Sequence, residues 1–363
     1  MSVNLYCPIN SLSYGLVGVN ILKGLVDAEQ DVALFPVNEN NIECEPQYTQ
    51  CVQTAAKNAL NFDSKATCLK IFHQWDFAKR IGSGKYIGWP IFELNRFTDF
   101  EKNSLRSCDE LIVCSEWAKN ICKDNGIDIP IHVVPLGHDP AIFNNKLSFG
   151  KSKNTIFYIG GKFEVRKSHD LIREAFDLAF WSTGTDDVEL WICCDSPFME
   201  QDGGNTKWHR FFQSSKLGNK IKILPRQKTQ AQLAYIMSKV SYGIFASRAE
   251  GFDLPLLEMM ALGKPSIVSD CTAHTQFANE NNSFLLQPNG YETAFDGVWF
   301  KPGIVNQGEW ATFDVVELAE KMRECHNIYQ EGHADYVNKQ KACLTTAKEL
   351  TWKVTADHLN TLL

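Results

Sequence analysis

The chain has 363 residues, of which 44% are hydrophobic and 12% are aromatic, and its formal net charge is −7. This hydrophobicity excludes a disordered chain, because a low hydrophobic content is the usual cause of disorder. The length predicts two or three domains, and the lack of a basic run speaks against an extended nucleic-acid footprint, although a local basic cleft stays open.

The chain also lacks the usual signs of membrane insertion, secretion and metal binding. Its longest apolar runs are too short to span a bilayer, and its first residues lack the basic-then-apolar pattern of a secretory signal. Twelve cysteines are present without a C-x-x-C pair, and several stand in apolar runs, where a thiol behaves as a small hydrophobe. We therefore expect free thiols in a reducing cytoplasm, no integral membrane segment and no zinc or redox site.

Apolar, β-branched runs alternate with longer helical patterns along the chain. Ten runs are candidate strands, in chain order VNLYCPI, DVALFPV, CLKIFHQ, ELIVCS, IHVVPL, NTIFYIG, VELWICC, IKILP, YGIFAS and PSIVSD. Residues 17–27 and 169–180 are amphipathic and lie between strands. Such alternation predicts an α/β fold with parallel sheets that are covered on both faces.

Polar residues mark the best domain boundary. Residues 144–154, NNKLSFGKSKN, precede a new strand and predict one Rossmann-like unit on each side. In open α/β sheets ligands bind outside the carboxyl ends of the strands, so a cleft between two such units is the expected ligand site. Residues 289–310 are aromatic and Gly-rich, and we interpret them as an inserted surface loop.

The stretch RAEGFDLPLLEMMALGKPSIVSD, residues 248–270, carries a glutamate on each side of a Gly-Phe-Asp-Leu-Pro turn. The pattern predicts a strand, a loop and then a helix with Pro255 in its first turn and Gly263 at its end. We expect Glu250 at the lip of the loop and Glu258 in the first helical turn. There, two carboxylates and free N–H groups would suit a polyhydroxy ligand with a phosphate. The alternative for Glu258 is an acid that only complements the helix dipole.

A second stretch, YIGGKFEVRKSHDLI at residues 158–172, predicts a strand, a Gly-Gly turn, three cations and a helix. Lys162, Arg166 and Lys167 at a strand end can hold a diphosphate as point charges. The alternative is a solvated basic turn.

The third stretch, NSLSYGLVGVNILKGL at residues 10–25, places Gly15 and Gly18 in the first strand-to-helix turn. Small residues there allow the backbone to approach a ligand closely. The spacing is G-x-x-G and no acidic residue ends the second strand, so the dinucleotide-binding fingerprint is poorly met.

Together these stretches resemble the family-4 glycosyltransferases of the GT-B fold. The family signature E-G-F-G-L-P-x-x-E-A-M-A-x-G-x-P-V-I appears as EGFDLPLLEMMALGKPSIV, with both glutamates in register. The family elements G-R-x-x-x-x-K-G, G-V-D-x-x-x-F and T/S-W appear as GKFEVRKS, GHDPAIF and LTWKV. The resemblance implies two Rossmann-like domains facing each other across a cleft. Residues 1–148 would form the acceptor-side domain, residues 149–345 would bind the nucleotide-sugar, and a helix in residues 346–363 would cross back to the first domain.

The resemblance also implies roles for individual residues. Lys162 and Lys167 would bind the donor's diphosphate and stabilise the leaving nucleoside diphosphate. Glu258 would accept both ribose hydroxyls, and Glu250 would contact the transferred sugar as the third catalytic residue. The remaining implied donor contacts are Gly251, Phe252, Asp253, Leu254, Gly161, Gly15 and Gly18. The family retains anomeric configuration and usually needs no metal, so we expect no cofactor, no metal and a UDP- or GDP-linked sugar as co-substrate.

Departures from the family pattern leave some positions open. Asp253 stands where the family has glycine, so its carboxylate either faces the donor and alters sugar choice or points outward. Lys162 replaces arginine, which keeps the charge and loses the bidentate fork. His73 and Glu93 compete for the place of a family histidine near the transferred sugar. His274 follows the next strand and is either a donor contact or a loop surface residue.

Three classes of function fit these motifs. A retaining, metal-independent glycosyltransferase accounts for the intact glutamates and cations. A nucleotide-sugar epimerase of GT-B fold shares the architecture, but it lacks the full signature and needs acid/base carboxylates that the sequence does not reveal. A sugar-nucleotide binding module without activity is the third.

The acceptor is open, because the N-terminal half is the divergent part. A glycan or a lipid-linked intermediate is the default, and a phage-type enzyme acting on hydroxymethylated bases in DNA is the alternative. WDFAKRIGSGKYIGW and NRFTDFEKNSLR interleave cations and aromatics as a nucleic-acid-facing surface would, or form ordinary helix surfaces. The sequence also leaves open whether the protein attaches to the inner membrane face or works in a host cytoplasm. Its oligomeric state and the sugar that it would transfer are open as well.

Overall fold

The structure is a computed structural model that describes residues 2–37, 42–147, 151–198, 203–301, 308–332 and 334–363. It divides into two compact units. Unit 1 contains the described residues up to Gly137, together with Gly308 and Leu350–Leu363. Unit 2 contains the described residues within 138–301 and the described residues within 309–349. The predicted domain limit between residues 148 and 149 lies outside the described residues.

Unit 1 is built on a parallel six-stranded sheet with the order β2-β1-β3-β4-β5-β6. Its strands are β1 (Ser2–Cys7), β2 (Asp31–Pro36), β3 (Thr67–Phe72), β4 (Tyr86–Pro90), β5 (Glu110–Val113) and β6 (Ile131–Val133). Its helices are α1 (Ser13–Asp27), α2 (Thr49–Asn58), α3 (Asp99–Leu105), α4 (Glu116–Asp124) and α11 (Trp352–Asn360). One core cluster packs β3, β4 and β5 against α3 and α4, and the C-terminal helix α11 packs against α1.

Unit 2 repeats this design with a second parallel six-stranded sheet, ordered β12-β11-β10-β7-β8-β9. Its strands are β7 (Thr155–Gly161), β8 (Val188–Cys194), β9 (Ile221–Ile223), β10 (Tyr242–Phe245), β11 (Ser266–Ser269) and β12 (Ser283–Leu286). Its helices are α5 (His169–Phe180), α6 (Gly204–Gln213), α7 (Gln230–Ser238), α8 (Leu254–Ala261), α9 (Val315–Glu331) and α10 (Ala334–Glu349). Phenylalanine and aliphatic side chains of β7, β8, α5 and α9 form most of its core.

The interpretation of residues 289–310 as a surface loop is wrong at both ends of the segment. β13 (Gly290–Thr293) and β14 (Glu309–Thr312) form an antiparallel pair, and Trp310 is buried. The Trp310 indole N–H donates to Glu292, and its ring lies 5.7 Å from the Arg248 guanidinium. Residues 302–307 of the predicted loop lie outside the described residues.

Two further observations concern the predictions on cysteines and membranes. All twelve cysteines are free thiols, ten of them buried and two, Cys44 and Cys51, half-buried. Among the residues that the structure describes, no helix is long and apolar enough to cross a membrane.

Candidate functional site

The predicted site residues of unit 2 collect at the carboxyl ends of two neighbouring strands, β7 and β10. These strands pair in parallel through Phe157 and Tyr242. The sheet order reverses here, because β8 and β9 continue on one side and β11 and β12 on the other. Such a switch point is where open α/β sheets bind their ligands.

Glu250 lies in the loop after β10 and is held by two cations. Its carboxylate oxygens lie 2.7 Å from Lys167 Nζ and 2.9 Å from Arg166 Nη1. Its backbone N–H donates to Thr272 Oγ1. Burial opposes ionisation, but Arg166 and Lys167 outweigh it and hold the pKa of Glu250 far below its usual range. The glutamate is therefore a buried, ionised acceptor.

Lys167 ends a short 3-10 turn, Val165–Lys167, after β7. Burial would lower its pKa, but the carboxylates of Asp253 and Glu250 outweigh this and raise the pKa above its usual value. Gly161 has a φ of 104°, and a Cβ built on it would lie 3.3 Å from Lys167 Cε. Glycine at this position thus suits the backbone conformation and leaves room for the Lys167 side chain.

The three cations of the second motif have different surroundings. Arg166 is buried, donates to Ala249 O and contacts Glu164 Oε2 at 2.7 Å. Lys162 is 35% exposed and lies 2.7 Å from Glu164 Oε1. Burial raises the pKa of Glu164, but Arg166 and Lys162 outweigh it and lower the pKa to about 2. Arg166 and Glu164 therefore scaffold the turn, and Lys162 is the accessible cation.

The sequence analysis did not predict Glu164, and it predicted Arg166 only as one of three cations for a diphosphate. The alternating charges of KFEVRK were the available signal, because a buried turn with three cations needs an internal carboxylate. The solvated basic turn, the alternative for this motif, does not describe Arg166, which is buried, or Lys167, whose side chain is only 11% exposed.

Glu258 is the fifth residue of α8, so the prediction that it lies in the first helical turn is wrong. It is 7% exposed, and no hydrogen bond or ion pair reaches its carboxyl from the residues that the structure describes. Burial, and then the negative charge of Asp253, raise its pKa to about 8. The carboxyl oxygens are thus open to ligand hydroxyl groups, and a first-turn helix-dipole role does not apply.

The remaining residues of the first motif shape the loop between β10 and α8. The Phe252 ring packs against Phe277 with centroids 5.0 Å apart, and Gly251 and Leu254 are buried. The N–H groups of Phe252 and Asp253 donate to no acceptor in the described part of the chain. Such groups at a helix start suit the anion contact that was predicted.

Asp253 does not point outward, and His274 is not a loop surface residue. Both side chains are fully buried, and Asp253 Oδ2 lies 3.0 Å from His274 Nε2. The link spans 21 residues and depends on the left-handed backbone at Asp253 (φ 77°), which no sequence pattern reveals.

In unit 1, the predicted residues lie near the switch point between β1 and β3. His73 follows β3, and its Nδ1 lies 3.1 Å from the Tyr14 hydroxyl, while its ring stacks on Trp75. Glu93 follows the neighbouring strand β4 and is half-buried. Both therefore stay candidates for sugar contacts at this end of the sheet.

Gly15 and Gly18 have a packing explanation in addition to the predicted one. A Cβ on Gly15 would lie 2.3 Å from the Asn10 backbone, and a Cβ on Gly18 would lie 2.2 Å from Pro8 O. Both glycines therefore let α1 pack against the loop that follows β1. Their place beside a donor stays a prediction.

In the first of the two stretches that suggested a nucleic-acid-facing surface, residues 75–89, three of the four aromatic rings are buried, whereas Lys79 and Arg80 are exposed. Phe77, Tyr86 and Trp89 are buried, the last two in strand β4, and Trp75 is 44% exposed. Buried rings offer no face on which a base could stack.

The chain is similar to several known proteins in sequence or in fold. Residues 153–297, which lie in unit 2, match the family model "Glycosyl transferases group 1". The sucrose-phosphate synthase of Thermosynechococcus elongatus has 15% identity and a TM-score of 0.74, with 100% of this chain and 98% of that chain covered. HepE of Anabaena, solved with UDP-glucose, has 13% identity and a TM-score of 0.68, with 100% and 99% covered.

A third similar structure is an α,α-trehalose-phosphate synthase (UDP-forming) from Burkholderia xenovorans in complex with glucose-6-phosphate. It has 9% identity and a TM-score of 0.69, with 99% of each chain covered. No curated protein matches the chain in sequence.

These findings show the fold and a family similarity of unit 2. The fold is GT-B, as the resemblance implied, and residues 153–297 are similar to the glycosyl transferases group 1 family.

Proposed function

We propose that the protein transfers a sugar from a UDP- or GDP-linked donor to an acceptor hydroxyl, with retention of anomeric configuration and without a metal ion. The observation that carries this proposal is the arrangement around β7 and β10. Lys162, Lys167, the ionised Glu250 and Glu258, which has no partner among the described residues, share this end of the sheet.

Each group has a chemical task in this proposal. Lys162 and Lys167 bind the diphosphate and stabilise the charge that develops as the nucleoside diphosphate leaves. Glu258 accepts the two ribose hydroxyls, because its carboxyl has free acceptor capacity. Glu250, fixed by Arg166 and Lys167, accepts hydroxyls of the transferred sugar.

The proposed metal independence rests on this division of work. Two lysine cations supply the positive charge that a divalent ion supplies in other phosphate sites. In the described part of the chain, no group of three or more His, Cys, Asp or Glu residues is arranged to hold a metal.

The acceptor that we propose is a glycan or a lipid-linked sugar. HepE of Anabaena was solved with UDP and glucose, and the synthase from Burkholderia xenovorans with glucose-6-phosphate, so relatives of this fold handle sugars. In the stretch that suggested a DNA acceptor, the rings of Phe77, Tyr86 and Trp89 are buried. Their burial favours a sugar acceptor over a DNA acceptor.

The product's stereochemistry and its metal requirement test the proposal. NMR of the new glycosidic linkage is expected to show the anomeric configuration of the donor, and saturating EDTA is expected to leave the rate within about twofold of the untreated enzyme. An inverted linkage or complete inhibition by EDTA would contradict it, and interconversion of free nucleotide-sugars would mark an epimerase instead.

A further inference from the structure

We propose that Asp253 is a positioning residue for Lys167, and that its carboxylate, fixed by His274, is a second counter-ion that keeps the ammonium in place when Glu250 turns to the sugar. This inference rests on the proposed function. It concerns a residue at which this chain departs from the family signature, Asp in place of Gly.

Asp253 has no local reason to be an aspartate. It is the residue before α8, where Asp normally caps the helix by accepting backbone N–H bonds, but its side chain makes no such bond. Its backbone is left-handed, with φ 77° and ψ 74°, a conformation that is strained for a non-glycine residue. Glycine would adopt this conformation without strain, so the carboxylate must be retained for another contact.

That contact lies among the predicted catalytic groups. The Asp253 side chain is fully buried, and its Oδ2 is hydrogen-bonded to His274 Nε2 at 3.0 Å. Its Oδ1 has no hydrogen bond and lies 4.0 Å from Lys167 Nζ. A buried acceptor without a partner is costly, and a movement of about 1 Å by the lysine would satisfy it.

His274 fixes the carboxylate. Its Nδ1 lies 3.2 Å from Ser269 O and 3.0 Å from Ser269 Oγ, so the ring is itself held by the end of β11. A carboxylate only accepts, so Nε2–H donates to Asp253.

Lys167 thus has two carboxylates within reach. In the structure its ammonium lies 2.7 Å from Glu250 Oε1 and 4.0 Å from Asp253 Oδ1. When Glu250 accepts sugar hydroxyls, the ammonium shifts toward Asp253 and keeps a carboxylate partner within the site. The sugar-binding and phosphate-binding groups can then act together.

A double-mutant cycle tests this coupling through the affinity for UDP or GDP, measured by titration calorimetry. Asp253→Asn keeps the side-chain size and tolerates the left-handed backbone. Loss of a negative charge alone would tighten binding of an anion. Loss of positioning is expected to make Asp253→Asn bind UDP or GDP at least about threefold more weakly than wild type. In the Lys167→Ala background the same substitution is expected to change the affinity by less than about twofold.

Two further variants separate this effect from folding. Asp253→Gly removes the strain and the carboxylate together, so it should weaken UDP binding as Asp253→Asn does without lowering the unfolding temperature. Glu29→Gly is the matched control, because Glu29 is an exposed acid in unit 1 that also has a left-handed φ of 59°. It should leave the affinity unchanged.

The outcomes are distinct. Equal or tighter binding by Asp253→Asn, or the same loss in both backgrounds, would overturn the inference and leave the proposed function standing. A wild-type protein that binds neither UDP nor GDP would contradict the proposed donor site itself.

Discussion

Glu258 has the most unusual environment among the residues proposed to bind the donor. Its carboxyl is buried on a helix, without a partner among the described residues, and its pKa is about 8. Glu250, with two cations, has a pKa far below its usual range. Two glutamates eight positions apart are therefore in opposite protonation states at neutral pH.

This difference predicts that donor binding releases a proton. In the free protein Glu258 is mostly protonated at pH 7, and ribose hydroxyls that donate to it favour the carboxylate and lower its pKa. Wild type should therefore release up to about one proton more than Glu258→Gln on binding UDP, and its affinity should rise with pH up to about 8. Calorimetry in buffers of different ionisation enthalpy measures this number. Equal proton release by both proteins would remove Glu258 from the ribose site.

The sequence predicted the charged residues of the site better than their contacts. Glu250, Lys162 and Lys167 could be assigned because the signature fixes them at strand ends. The roles of Arg166 and Glu164 depend on burial of the turn, and the Asp253–His274 pair depends on one left-handed residue. Neither burial nor backbone conformation can be read from motif spacing.

At the scale of elements, each of the ten predicted strands coincides with a strand of the structure, but β4, β12, β13 and β14 were missed. β4 reads YIGWP, and both Gly88 and Pro90 are usual strand breakers. Gly88 is needed in this strand, because a Cβ there would lie 2.6 Å from Cys108 Sγ. In β4 a tertiary contact thus outweighs the strand-breaking signal of glycine and proline. β13 and β14 likewise depend on a contact that is distant in sequence, because they pair with each other.

Helix α1 gives a test of the two explanations for its glycines. Gly18→Ala should destabilise unit 1 by about 1–3 kcal/mol, because the new Cβ would overlap Pro8 O, although helix propensity alone favours alanine. A thermal unfolding curve measures the change, with Lys23→Ala on the exposed face of the same helix as control. Normal stability combined with weak donor binding would instead support close approach of a ligand.

At the scale of the whole molecule, twelve free thiols distributed over both units report on its packing. Burial raises the pKa of the thiols of Cys108, Cys114 and Cys122 to about 12. An Ellman titration of the native protein at pH 8 should therefore find about two reactive thiols, Cys44 and Cys51, and twelve in denaturant. Rapid reaction of many more thiols in the native protein would contradict the packing described for both sheets.

The most direct test of the whole account is sugar transfer from a panel of UDP- and GDP-sugars, followed by mass spectrometry of the products. The acceptors are glycans, lipid-linked sugars and DNA with hydroxymethylated bases. We expect one donor to be consumed, with one hexose or pentose mass added to a glycan or lipid-linked acceptor, and Glu250→Gln to reduce the rate by at least about a hundredfold. Transfer to DNA alone would contradict the proposed acceptor. A wild-type protein that consumes no donor, or a Glu250→Gln variant as active as wild type, would contradict the central claim.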